Sequence, residues 1–416
     1  MIGIWLDLQG RLTRFEAVPP QVDQATDAPP PLDWKLLFSA ADLDPANFVS
    51  TPPQWMPLAG FDVRAAWTGS YPAQPNIPLR IEAAAYRGKP VYFHLIWPWT
   101  PPTRMQAHQL SASAQIGNIV ITVLFCLLTI GALLLVRYNL RHNRGDRRNA
   151  FKIATFIFTL KIGTWLFGAH HEPRFNELIV FFTQAVSQAL LWAGVAWSFY
   201  MALEPYVRRR WPVVLISWNR LLNGDLRDPL VGRDLLIGIL FTVVGRRAIG
   251  LLDALFFPWE LRNLSSFAID TLPGFRFLLA TGFSYLYLLT LLSLTFLFLL
   301  FVLRTLTRRQ WLMAVIFIFV GCLLGLQQSV NPLVGALFNG LNFLLVIVIM
   351  LRFGFFAFLV NAVVSGFLSY PITLDFSAWY TNSAMLLAGA ILALAIYAFH
   401  TSLGGQKVFS GKLLEE

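Results

Sequence analysis

Charge is scarce in this chain. Only 13% of its 416 residues are charged, and 56% are hydrophobic. A typical soluble domain carries about 25% charged residues. The 32 Lys and Arg with 22 Asp and Glu could not solvate a soluble surface of this size. A soluble enzyme and a disordered chain are both excluded. Cysteine is nearly missing. Cys126 and Cys322 stand alone, each within an apolar run, which excludes a disulfide-knitted secreted domain. They read as small core residues. Acidic charge is also deficient, leaving a net charge of +10. Nucleic acid is not the implied partner, because the cations cluster between apolar stretches, as topology signals do.

Residues 1–113 lack long apolar runs, and prolines crowd positions 19–57. GIWLDLQGRLTRFEAV reads as a β-hairpin turning at Gln9-Gly10. DWKLLFSAADL reads as a short helix capped by Asp33. FDVRAAWTG, IPLRIEAAAY and PVYFHLIW read as strands, the last two joined by a turn at Arg87-Gly88-Lys89. The predicted unit is a small α+β domain, large enough to fold alone.

Apolar segments then follow one another. A span needs roughly 20 apolar residues to cross hydrocarbon about 30 Å thick. Candidate spans lie near 116–137, 151–169, 177–203, 235–256, 274–303, 311–328, 332–351, 353–370 and 379–400. The expected fold class is membrane all-α: a polytopic bundle of about nine transmembrane helices in 114–403, preceded by the small α+β extracytoplasmic domain. Residues 404–416 form a short cytoplasmic tail.

Arginine sets the expected orientation. Arg137, Arg141, Arg144, Arg147, Arg148 and Lys152 occupy one loop. Arg208, Arg209, Arg210, Arg220, Arg227 and Arg233 occupy a second, and Arg304, Arg308 and Arg309 a third. The intervening segments hold only Arg174, Arg262 and Arg276. This bias puts the basic loops in the cytoplasm and the α+β domain outside. No export signal is visible ahead of that domain. The expectation is a functional polypeptide that begins before Met1, or a partner that supplies the missing span.

The run LEPYVRRRWPVVLISWNRLLNGDLRDPLVGRD (203–234) resembles the multi-span membrane region of bacterial receptor-type serine/threonine protein kinases. WLDLQGRLTRFEAVPPQ, IEAAAYRGKPVYFHL, WLFGAHHEP and HTSLGGQKVF extend the resemblance over nearly the whole chain. In that family a cytoplasmic kinase domain and one span precede an extracytoplasmic domain. The resemblance implies the bacterial inner membrane and a partner bearing a kinase domain, with membrane lipids around the spans. It does not imply phosphoryl transfer here. GxGxxG and His-Arg-Asp are absent, and the nearest match to Asp-Phe-Gly is Asp375-Phe376-Ser377. No catalytic residue and no cofactor follow from the sequence.

The remaining candidates are polar residues in unusual places. His170, His171 and Glu172 follow span 2 and offer ligands for zinc, but HHEPRF is not HExxH and Pro173 breaks the helix. Interfacial polar residues are the better reading. Lys161 lies in span 2, and Arg246 and Arg247 interrupt span 4, where a cation costs about 2.5–3.5 kcal/mol. Such cations pair or line a wet cavity, with Asp253, Glu177 and Glu204 the carboxylates in or near the bundle; equally, span 4 is broken and its two arginines sit in a kink or near a tilted interface. Gln184 and Gln188, four apart on span 3, could line a path or bond to neighbouring helices. These features keep open a transporter or channel for a small anionic or lipid-like solute. Gly321 and Gly325 read as a close helix contact. Arg208, Arg209 and Arg210 precede Leu215, Trp218, Leu221 and Leu222, which share one helical face. That pattern predicts a helix in the headgroup region, serving as an anchor or a docking surface for a cytoplasmic partner. The leading reading is a non-catalytic sensor or anchor module, with an oligomeric state the sequence leaves open.

Overall fold

The computed structural model describes residues 2–7, 9–22, 32–71, 74–100, 102, 104, 112–169, 171, 175–246, 248–251, 274–326, 332–370, 376 and 380–405. The chain divides into two compact units, Met1–Gln109 with Leu374–Thr381, and Leu110–Thr373 with Asn382–Glu416.

The first unit is built on a six-stranded antiparallel sheet. Its strands are β1 (Ile2–Leu6), β2 (Leu12–Ala17), β3 (Val49–Thr51), β4 (Val63–Tyr71), β5 (Gln74–Tyr86) and β6 (Lys89–Ile96), in spatial order β1-β2-β6-β5-β4-β3. The first hairpin turns where predicted, with the Asp7 carboxylate accepting from the backbone N–H groups of Gln9 and Arg11, both at 2.9 Å. Arg87 and Gly88 both take positive φ, 50° and 72°, as a tight primed turn demands. Helix α1 (Lys35–Ala40) follows Asp33, whose carboxylate accepts from Lys35 N at 2.8 Å. Phe38 of α1 is buried on one sheet face. Its ring meets Phe48, Trp67 and Phe93 edge-on at 5.9, 5.1 and 5.8 Å. Alternation along β5 and β6 aims Leu79, Ile81, Ala83, Phe93 and Leu95 at this core.

The second unit is helical. Six helices are long and apolar enough to cross a membrane: Gly117–Arg141, Arg147–Gly168, Phe175–Arg210, Phe275–Thr307, Leu333–Arg352 and Thr381–Ser402. Nine crossings were expected, so the count is corrected among the described residues. Gln310–Gly325 and Phe355–Phe367 are helices of only 16 and 13 residues. At 1.5 Å per residue they reach about 24 and 20 Å, short of the roughly 30 Å of hydrocarbon. Apolar runs this short make core helices as readily as spans, and most of Phe355–Phe367 is buried. The segment expected at 235–256 starts as Pro229–Leu240 and passes into a π-helical turn at Phe241–Arg246. Its residues 252–256 lie outside the described set.

Phe275–Thr307 is the central helix: half of its apolar window is buried, against 11–22% for Gly117–Arg141, Arg147–Gly168, Phe175–Arg210 and Thr381–Ser402. The outer helices turn Ile119, Leu127, Leu134, Leu190 and Leu392 outward. Such a surface suits hydrocarbon rather than water. The close contact expected at Gly321 and Gly325 is present. These glycines lie against Phe343 and Gly335, where a side chain would overlap its neighbour. The Asn339 amide donates to the Gly321 carbonyl at 2.9 Å, tying the two helices together.

Candidate functional site

The helices alternate in direction, and this gathers the basic loops at one end of the helical unit. The turn after Gly117–Arg141 uses Asn143 and Gly145 at φ 51° and 103°. Asp146 then caps Arg147–Gly168, accepting from Asn149 N at 3.0 Å. Asn139, fully buried, donates to the carbonyls of Met201 and Ala202 at 2.9 and 3.5 Å. These bonds clamp the turn to the end of Phe175–Arg210. There Glu204, only 3% exposed at its side chain, meets Arg208 at 3.2 Å. Asn143, Arg144, Asp146, Glu204, Arg208 and Arg209 line one shared cavity.

The chain between Arg210 and Pro229 folds back into this end. Pro212–Leu215 forms a short 3-10 turn and Ile216–Asn223 a helix. Gly224, at φ 96°, closes that helix by donating to the Leu221 carbonyl, while Asp225 N reaches Arg220 O. Asp228 caps the next helix, accepting from Leu230 N at 2.8 Å, with Pro229 at its first position. Ser217 donates to Asp234 at 2.5 Å, and both are buried. Arg233 meets the other Asp234 oxygen at 2.9 Å. Arg220 pairs with Asp228, and Lys152 donates to the Leu222 carbonyl. Tyr200 reaches Asn219 at 3.1 Å, and Tyr397 donates to Leu226 O at 2.8 Å. This re-entrant segment is therefore part of the bundle.

That placement corrects the expected surface helix. Leu215 and Trp218 are 3% and 4% exposed, and the Trp218 ring meets Phe355 edge-on at 5.1 Å. Trp218 offers no docking surface. Gly354, at φ 108°, makes room, because a side chain there would press on the Val214 carbonyl. Arg208, Arg209 and Arg210 remain exposed.

At the opposite end, Arg276 and His171 make the contacts between described segments. Arg276 donates to the Phe167 and Ala169 carbonyls. His171 faces Glu177 at 2.8 Å and Leu166 O at 2.9 Å, beside the Trp165 ring. The Leu166 carbonyl first, and Glu177 second, raise the His171 pKa above 6.5. His170 and Glu172 lie outside the described residues. Among the described residues, no group of three His, Cys, Asp or Glu side chains is arranged around a metal position.

Within the bundle, Lys161 meets no carboxylate among the described residues. Its ammonium lies 3.4 Å from the Tyr287 hydroxyl and 4.8 Å from that ring's centroid. This cation–π contact stands where an ion pair or a wet cavity was expected. Gln184 sits in a π-helical turn, Phe181–Val186, and both Gln184 and Gln188 face outward. They line no interior path. Arg246 ends the other π turn. Its side chain, Arg247 and Asp253 lie outside the described residues.

The sheet unit holds two polar clusters that sequence reading missed. Glu82, 1% exposed, binds Arg80 at 2.7 Å and accepts from Gln54 N at 2.9 Å. It pairs across the sheet with His94, which contacts the Tyr92 hydroxyl at 3.1 Å and the Trp55 ring. Burial, and then Arg14, push the His94 pKa down to about 4, while burial lifts Tyr92 to about 12. At the other cluster a recess of about 350 Å³ is lined by Asp7, Arg11, Tyr71, Trp97 and Trp99. Arg11 binds Asp7 at 2.7 Å and Tyr71 at 2.6 Å, and the two indoles stack at 5.7 Å. An arginine beside stacked aromatic faces suits a flat or anionic ligand. The signal was present as Trp97-Pro98-Trp99, but its partner Arg11 lies far away in sequence.

No family model, curated protein or solved structure matches this chain.

Proposed function

We propose that this protein is a non-catalytic membrane sensor or anchor module working with serine/threonine kinase signalling. The sheet unit receives a signal outside the cell, and the helical unit carries it to a cytoplasmic partner. The bacterial inner membrane is the proposed location, with basic loops inside by the arginine bias. One observation carries the reading. The basic end is cross-braced by buried polar contacts around Ser217–Asp234, yet leaves Arg208, Arg209 and Arg210 exposed. A fixed platform with exposed guanidiniums, of which Arg208 also holds Glu204, suits a folded partner with an acidic surface. The Arg11–Trp97–Trp99 recess supports a receptive site in the sheet unit. The resemblance of 203–234 to receptor-type kinases supplies the class of partner.

Signalling requires that the bundle have two arrangements that differ in affinity for the signal. The test is affinity purification of the full chain from its native membrane in several detergents. A kinase-bearing protein should co-purify with the wild type and be lost from Arg208→Glu/Arg209→Glu. Recovery of the chain alone in every detergent would overturn the reading. Solute uptake in proteoliposomes that vanishes on Lys161→Met would replace it with the transporter reading.

A further inference from the structure

A second cavity at the basic end, of about 630 Å³, is lined by Arg210, Trp211, Arg304, Thr305 and Arg308. It lies where two helices end, Phe175–Arg210 and Phe275–Thr307. One turn deeper, the Tyr206 and Phe301 rings pack at 5.3 Å and hold these ends together. Arg210 and Arg308 are exposed. Arg304 is half-buried, and its Nη1 is fully buried with no hydrogen-bond partner. Among the described residues, none of the three arginines belongs to an ion pair.

The neighbouring cavity makes a useful contrast. Its arginines share the lining with Asp146 and Glu204, whereas the lining of the second cavity includes no carboxylate. Each helix C-terminus contributes about half a negative charge. Two such ends against three guanidiniums leave about two positive charges uncompensated. Thr305 already donates its proton to Phe301 O at 2.9 Å, so the guanidiniums are the cavity's main donors. Planar guanidiniums pair with phosphate oxygens through two parallel N–H bonds.

We propose that Arg210, Arg304 and Arg308 bind a phosphate group, supplied by an acidic phospholipid headgroup or by a free phosphate. The ligand completes the bonding of Arg304 and fastens the two helix ends together. Phosphate binding here is separable from any kinase partner, because purified protein suffices to measure it.

The full chain is examined in two arms. In the first, nanodiscs of phosphatidylcholine are doped with phosphatidylglycerol, and the lipid retained on the protein is counted by native mass spectrometry. In the second, inorganic phosphate is titrated against the protein in a neutral detergent. Wild type should bind in at least one arm, and Arg304→Gln and Arg308→Gln should each weaken that binding about tenfold. Arg304→Lys should retain part of it. Arg148→Gln removes the same charge elsewhere on the same end and should change nothing. Binding in the first arm alone assigns the site to a headgroup, and binding in the second assigns it to free phosphate. Arg308 is exposed, so its variant keeps the test valid if Arg304→Gln fails to fold. Equal binding by Arg148→Gln and Arg308→Gln, or no binding in either arm, would overturn the proposal.

Discussion

The two ends of the helical unit are built by different chemistry. At the basic end, side chains reach across sequence to bind backbone and other side chains: Asn139 to Met201, Ser217 to Asp234, Tyr200 to Asn219, Tyr397 to Leu226. At the other end, Arg276 binds two carbonyls and His171 binds a neighbouring carboxylate. Buried polar contacts fix one geometry, because breaking any one strands a partner in a low-dielectric site. Exposed contacts can exchange with water at little loss. Among the described residues, the basic end is therefore the more firmly fixed one.

Asp234→Ala breaks the fixed end most severely. It removes the acceptor of Ser217 and the partner of Arg233, and should destabilise the chain by about 2–3 kcal/mol. Unfolding of the purified protein in mixed micelles measures this. Asn139→Ala should follow, at about 1 kcal/mol, because one buried amide is lost. Its effect should appear as faster hydrogen exchange near 139–146 and 201–204. At the opposite end, Arg276→Met should cost less than about 1 kcal/mol, since its bonds are exposed. Equal losses for Asp234→Ala and Arg276→Met would erase the contrast.

The smallest effect is a pH dependence. His171 has a folded pKa above its unfolded value of about 6.5. Its contribution is present in full below pH 6.5 and disappears as pH rises through the folded value. Protection of the amides at 166–169, taken relative to the intrinsic exchange rate at each pH, should fall across that interval and stay level in His171→Gln. An increase in protection with rising pH would show that His171 does not hold this end.

Much of the architecture was legible from pattern. The hairpin at Gln9-Gly10, the turn at Arg87-Gly88 and the cap at Asp33 are local, and local chemistry fixes them. Arginine spacing identified which helix ends share a face. Span number was less legible, because 13 to 16 apolar residues describe a core helix as readily as an incomplete span. The fate of Trp218 was hidden for a similar reason. Its helical face looks amphipathic, but whether that face meets lipid or Phe355 depends on a contact 137 positions away. The Ser217–Asp234 pair joins two successive helices, and the three-arginine cavity joins helix ends far apart in sequence; periodicity reports neither.

The proposed orientation puts the basic end inside the cell and the sheet unit outside. The direct test replaces Cys126 and Cys322 with serine and introduces single cysteines at Ser39 and at Arg309, both exposed. An impermeant maleimide added to intact cells should label Ser39→Cys and spare Arg309→Cys until the membrane is opened. Labelling of Arg309→Cys in intact cells, with Ser39→Cys protected, would contradict the account.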